Sequence, residues 1–109
     1  MPTTSSETPV LDTLVAMTAD SIDRCGLAPD MLILTRIAAL AAMDAPALSY
    51  LTHLGPAMQE NLTLGQLQDV LVAIAPIVGT ARVMSAATHI TEAFGVAIAV
   101  ADAESMGDR

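Results

Sequence analysis

The pair of residues that comes nearest to catalytic spacing lies on the third predicted helix. Ser49 and His53 are four residues apart, so they share one face of that helix, with Tyr50 one step round. A histidine in an apolar pocket could act as a general acid or base, because burial favours its neutral form. The alternative is a hydrogen-bonded core or interface histidine, since the sequence shows no third group that would orient a catalytic imidazole.

An arginine interrupts the most apolar predicted helix. Arg36 is flanked at three- and four-residue spacing by leucine, isoleucine and alanine, so its guanidinium must reach solvent or meet an acceptor. As a binding residue it would clamp the carboxylate of a substrate, and we group Tyr50 with it. The alternative is a structural ion pair with Asp or Glu, within the chain or across a subunit interface.

The last predicted helix carries a polar edge. Arg82, Ser85, His89 and Glu92 follow one another at spacings of 3, 4 and 3, which places them along one side of a helix. A solvated face explains this pattern, although His89 and Glu92 could also share a proton. No helical His-x3-His pair occurs, and we predict no metal and no cofactor.

The composition predicts a partner for excess apolar surface. Hydrophobic residues make up 53% of the 109, charged residues only 15%, against about 25% charged in ordinary domains, and the mean hydropathy is +0.58. The most apolar stretch, residues 70–101, is interrupted by Pro76, Gly79 and Arg82, which is unlike a membrane span. We therefore predict an obligate homo-oligomer and no membrane partner.

Charge and cysteine content exclude other classes of function. The net charge is −8 with no lysine, so a nucleic-acid or anionic-lipid partner is not expected. Cys25 is the single cysteine, which rules out an intrachain disulfide and a CxxC redox pair. The first fifteen residues hold no basic residue and no long apolar run, so no secretory signal is predicted and we expect a cytoplasmic protein.

Apolar periodicity predicts an all-α single domain of about five helices. Residues 1–8 are a flexible lead, residues 9–102 the helical domain and residues 103–109 a polar tail. The first helix carries a stripe of Leu11, Leu14, Val15 and Ile22 and stops at Gly26. The second, residues 31–43, is apolar almost all round and is therefore expected to be buried on every side. No stretch alternates polar and apolar residues in the manner of a strand.

Capping residues set the remaining boundaries. Asp30 and Asp44 are predicted N-caps for the second and third helices, and the third is expected to kink or stop at Gly55. Thr63 and Gln66 form a capping-box pattern before the fourth helix. Gly79 is predicted to end that helix, and a long last helix follows.

Two stretches of the chain resemble the carboxymuconolactone decarboxylase and alkylhydroperoxidase D-like family. They are LILTRIAALAAMDAPALSYLTHLGPAM and LTLGQLQDVLVAIAPIVGTARVMSAATHITEAFG, and the resemblance covers roughly residues 10 to 101. It implies an all-α helical bundle that assembles as a trimer or hexamer.

The resemblance also bears on activity. The peroxidase branch of that family carries CxxCxxxH, and its two cysteines fall here on Pro46 and Ser49, with the histidine on His53. A dithiol mechanism needs both thiols, so peroxidase activity is not expected.

Two hypotheses follow for the function. The decarboxylase branch, which acts on a small dicarboxylate lactone, implies an enzyme in which Arg36 binds a carboxylate and His53 handles the proton. The alternative is a non-catalytic oligomeric binding or assembly protein that retains only the fold.

Overall fold

Five helices account for nearly all of residues 7–107, which are the residues that this computed structural model describes. The helices are α1 (Pro9–Arg24), α2 (Pro29–Ala42), α3 (Ala47–Gln59), α4 (Leu64–Val78) and α5 (Thr80–Gly107). No strand occurs within that range, so the predicted all-α domain of five helices is confirmed. The predicted lead and tail lie partly outside the described range, at residues 1–6 and 108–109, while residues 103–107 continue α5.

The core lies between α2, α3, α4 and α5. Each of these helices buries apolar side chains three or four residues apart, as a one-sided helix must. The buried set is Ile33, Ile37, Ala41, Tyr50, Leu54, Ala57, Leu62, Leu67, Leu71, Ala86, Ile90 and Ala93. The prediction that the second helix is buried on every side is wrong, because α2 leaves a stripe of Met31, Thr35 and Ala39 exposed.

Left-handed residues end α2 and α3 in the same way. Asp44 and Asn61 have φ of 54° and 60°, and aspartate and asparagine tolerate this conformation better than most residues. At the end of α2 the Asp44 N–H donates to the Ala41 carbonyl and the Ala45 N–H donates to the Leu40 carbonyl. This is the Schellman pattern, which satisfies the last carbonyls of a helix and turns the chain sharply toward α3.

The capping predictions have mixed outcomes. The capping box is confirmed, since the Gln66 N–H donates to Thr63 Oγ1 and the Thr63 N–H donates to Gln66 Oε1. Asp44 does not cap α3, because it forms the Schellman turn of α2 and Pro46 takes the N-cap position. Asp30 lies inside the first turn of α2, whose N-cap is Ala28. The sequence predicts that the third helix kinks or stops at Gly55. α3 does not stop there, because it continues to Gln59.

Two helices extend beyond the core. The most extensive helix contacts are all formed among α2 to α5, and α1 contains no buried residue. The stretch Thr80–Glu104 of α5 is long and apolar enough to cross a membrane by length and composition alone. A core helix passes the same test, and this stretch supplies Ala86, Ile90 and Ala93 to the core.

Candidate functional site

A group of polar residues meets where the α2–α3 turn lies against α5. We name Asp44, Tyr50, Arg82, Ser85 and His89 the corner cluster. The Schellman turn presents Asp44, the first turn of α3 places Tyr50 in the core, and successive turns of α5 supply the other three side chains. The spacing of 3 and 4 on α5 keeps those three on one side of the helix.

Hydrogen bonds join α5 to the turn. Ser85 Oγ donates to Asp44 Oδ1 at 2.7 Å, and Arg82 Nη1 donates to the Ala42 carbonyl oxygen at 2.7 Å. The Arg82 bond satisfies a carbonyl at the C-terminal end of α2, where a cation is also favoured by the helix dipole. These two bonds therefore fix the turn that carries Asp44 against the first turns of α5.

Two buried polar atoms of the corner cluster lack partners. Tyr50 is fully buried, and its ring centroid lies 6.5 Å from that of His89. Neither Tyr50 Oη nor His89 Nδ1 has a hydrogen-bond partner within residues 7–107. A buried polar group without a partner costs about 1–3 kcal/mol. These two atoms are therefore the points of the corner cluster at which an added hydrogen-bond partner would be most favourable.

The electrostatics of the corner cluster keep the tyrosine protonated. Burial raises the pKa of Tyr50 above its ordinary value of 10.0, and the nearby negative charge of Asp44 raises it further. Both causes act against the phenolate, since burial removes its hydration and the carboxylate repels it. Tyr50 Oη is therefore a hydrogen-bond donor at neutral pH.

This raised pKa predicts a loss of stability in alkali. The unfolded chain releases the tyrosine proton near pH 10 while the folded chain retains it, so the free energy of unfolding is undiminished below pH 10 and falls as the pH rises from there toward the folded-state pKa. Since Tyr50 is the single tyrosine of the chain, its titration can be followed directly by tyrosinate absorbance. We expect a midpoint above 10.0 in the folded protein, and a midpoint at or below that value would contradict the burial of the hydroxyl.

The second candidate group, Ser49 and His53, has a different arrangement from the one expected. His53 Nδ1 bonds to the backbone carbonyl of Ser49 at 2.9 Å and lies 3.1 Å from Thr52 Oγ1, so the contact does not involve the Ser49 hydroxyl. A carbonyl oxygen only accepts, so Nδ1 carries the proton and Nε2 is the basic nitrogen. The orienting group that the sequence did not reveal is a backbone atom.

Arg36 lies apart from both groups. Its Nη2 donates to Ser21 Oγ at 3.0 Å, which joins α2 to the last turn of α1. Neither an acidic partner nor a carboxylate pocket accompanies it in the described part of the chain, where the single ion pair is Arg24 with Asp20. Glu92 is exposed on α5, and no group of His, Cys, Asp and Glu within residues 7–107 has the geometry of a metal site.

Comparison of the chain with protein-family models, with curated proteins and with solved structures found no match. The corner cluster is therefore described from its own geometry.

Sequence reasoning identified the members of the corner cluster unevenly. The sequence places Tyr50 with Arg36 as a substrate-binding residue. It places Arg82, Ser85 and His89 on a polar edge of the last helix. Asp44 was considered only as a cap. The signal that could have found it is an aspartate directly after a helix, followed by Ala-Pro, which is typical of a left-handed turn between two helices.

Proposed function

We propose that this chain is a carboxymuconolactone decarboxylase-like protein without redox cysteines, and that it binds a small lactone or carboxylate at the corner cluster. The observation that carries the proposal is the pair of unpartnered buried atoms, Tyr50 Oη and His89 Nδ1. Buried polar atoms are nearly always hydrogen-bonded in folded proteins. A ligand oxygen within reach of either atom would supply the hydrogen bond that it lacks.

The charges around the cluster favour a carbonyl oxygen at Tyr50. The protonated hydroxyl of Tyr50 donates, and His89 Nδ1 donates in one of its two neutral tautomers. Asp44 is close enough to raise the pKa of Tyr50, so a carboxylate placed beside that hydroxyl would be repelled. A neutral lactone or ester carbonyl fits there better, and a carboxylate on the same ligand would face Arg82, which uses one of its five N–H donors on Ala42.

His53 is the residue that we propose for proton transfer. It lies three residues after Tyr50, so the two side chains occupy neighbouring positions on α3. In the neutral imidazole, the bond from Nδ1 to the Ser49 carbonyl places the proton on Nδ1 and leaves Nε2 as the nitrogen that accepts a proton. Loss of carbon dioxide breaks the bond between carbon and the carboxylate and leaves the electron pair on carbon. We propose that His53 Nε2 delivers to that carbon a proton that it has taken from solvent, which returns the imidazole to its neutral form.

A second candidate function is assembly without catalysis. It is favoured by α1, whose large apolar side chains are all exposed, and by the absence of thiols at Pro46 and Ser49. In this alternative the protein forms a trimer or hexamer, as the resemblance implies, and the corner cluster holds only water.

A ligand panel tests the proposed function. The probes are 5-oxooxolane-2-carboxylate, which carries both a lactone and a carboxylate, γ-butyrolactone, which lacks the carboxylate, and succinate, which lacks the lactone. A ligand at 100 Kd stabilises the folded state by about 2.7 kcal/mol, which for a domain of this size raises Tm by about 10 °C or more. We expect the largest rise with the first probe.

Two variants make the panel specific. Tyr50→Phe removes one oxygen from the core and is expected to abolish the rise in Tm, because the lactone carbonyl loses its donor. Glu92→Gln alters an exposed residue on the same helix as His89 and is expected to leave the rise unchanged. A wild-type protein that is indifferent to all three probes would favour the assembly alternative.

A further inference from the structure

The first helix presents an apolar stripe that nothing within residues 7–107 covers. Around the helix axis one half is apolar, and the other half carries Asp12, Asp20, Asp23 and Arg24. The large apolar side chains of the stripe are between 49% and 73% exposed, and they are Val10, Leu11, Leu14, Val15, Met17 and Ile22. The side-chain bond that joins α1 to α2 is the one from Arg36 to Ser21.

A helix as exposed as α1 needs to pack against another surface in order to remain helical. Isolated helices shorter than about 12–15 residues are marginal in water even when rich in alanine. The 16 residues of α1 include three threonine or valine residues in the first two turns and three aspartates, which are weaker helix formers than alanine. The helix has no buried residue to offset this, so packing among residues 7–107 adds little to its stability.

The exposed area of the chain is larger than that of a compact monomer of its mass. The accessible surface is 7508 Å², against about 5,700 Å² for a compact monomer of this mass. The difference is about 1,800 Å², and the residues outside 7–107 contribute to it as well as the exposed apolar side chains. A stable interface removes about 800 Å² from each partner.

From these observations we propose that the apolar stripe of α1 binds a second copy of this chain. The partner copy also has exposed apolar side chains outside α1, on α4 and α5, and they include Val72, Ile77, Met84, Val96 and Ile98. The acidic polar half of α1 disfavours an anionic lipid surface, which attracts helices rich in lysine and arginine. This interface is independent of the corner cluster.

Paired substitutions on α1 test the interface. Leu14→Asp places a charge in the stripe, and Ala16→Asp places the same charge on the polar half of the same helix. In light scattering coupled to size exclusion, we expect the wild-type protein and Ala16→Asp to have at least twice the monomer mass of 11.2 kDa. We expect Leu14→Asp to have the monomer mass, with the helices of the core retained by circular dichroism.

A second measurement needs no variant. Amide hydrogen exchange in α1 should be slow in the wild-type assembly and should become fast on dilution, because a free α1 exchanges like an unfolded segment. A wild-type monomer at every soluble concentration would overturn the proposal. So would an oligomer that survives Leu14→Asp, and so would a monomer whose α1 is protected only by vesicles of phosphatidylcholine and phosphatidylserine. Tyr50→Phe should leave the mass unchanged, which separates this interface from the proposed ligand site.

Discussion

Leu54→Ala is expected to lower the free energy of unfolding by about 2–5 kcal/mol. Leu54 is fully buried on α3, the helix that packs most extensively against α5. Truncation removes buried methyl groups and leaves a cavity that the surrounding helices only partly fill. Since a domain of this size has about 5–15 kcal/mol in total, the variant should unfold at much lower urea concentration.

Leu48 provides the matched control on the same helix. It is 70% exposed, so Leu48→Ala removes the same atoms from a side chain that contributes little to the core. We expect a change of less than about 0.5 kcal/mol. Both variants should be compared by urea unfolding at one protein concentration, because assembly couples to unfolding. Equal losses in the two variants would contradict the position of the core between α3 and α5.

Gly79→Ala is expected to destabilise the protein by about 1–3 kcal/mol through backbone strain alone. Gly79 is the single residue between α4 and α5, and its φ and ψ are 94° and 161°, a region that only glycine occupies readily. An added Cβ would meet no atom within 4 Å. The loss of stability would therefore come from the backbone conformation at Gly79 and not from a steric clash.

The sign should reverse at Gly95. This residue lies within α5, and a Cβ there also meets nothing within 4 Å. Alanine is favoured over glycine in a helix interior by about 0.5–1 kcal/mol, so Gly95→Ala is expected to stabilise the protein. Thermal unfolding of the two variants side by side checks both signs. A stabilising Gly79→Ala would show that α4 and α5 are joined by an ordinary turn.

The helices of this protein were predictable because their signals are local. The capping box at Thr63 and Gln66 involves residues three apart, and the stripe of α1 repeats every three or four residues. The sequence predicts Asp44 as an N-cap, whereas the structure places it in the left-handed turn after α2. Aspartate favours both positions, so the residue type alone does not distinguish them. The packing of α2 and α3 decides which of these two structures forms, and the local sequence does not specify that packing.

The candidate site was predictable only in parts. Tyr50 and His89 were both named, yet each was assigned to a different group, because residues on different helices meet only when the crossing of those helices is known. The spacing of Ser49 and His53 predicts a shared helix face, but the partner of His53 is the Ser49 carbonyl and not its hydroxyl. Backbone acceptors carry no sequence signal, so this contact could not be inferred from residue types.

Periodicity, caps and composition were sufficient to predict about five helices, a negative net charge and an excess of apolar residues, since each depends on neighbours along the chain or on totals. The tertiary structure decided which apolar faces are buried, which polar atoms lack partners and which helix has no covering. These depend on the register in which α2 to α5 pack, and that register is set by the fit of side chains from distant parts of the sequence.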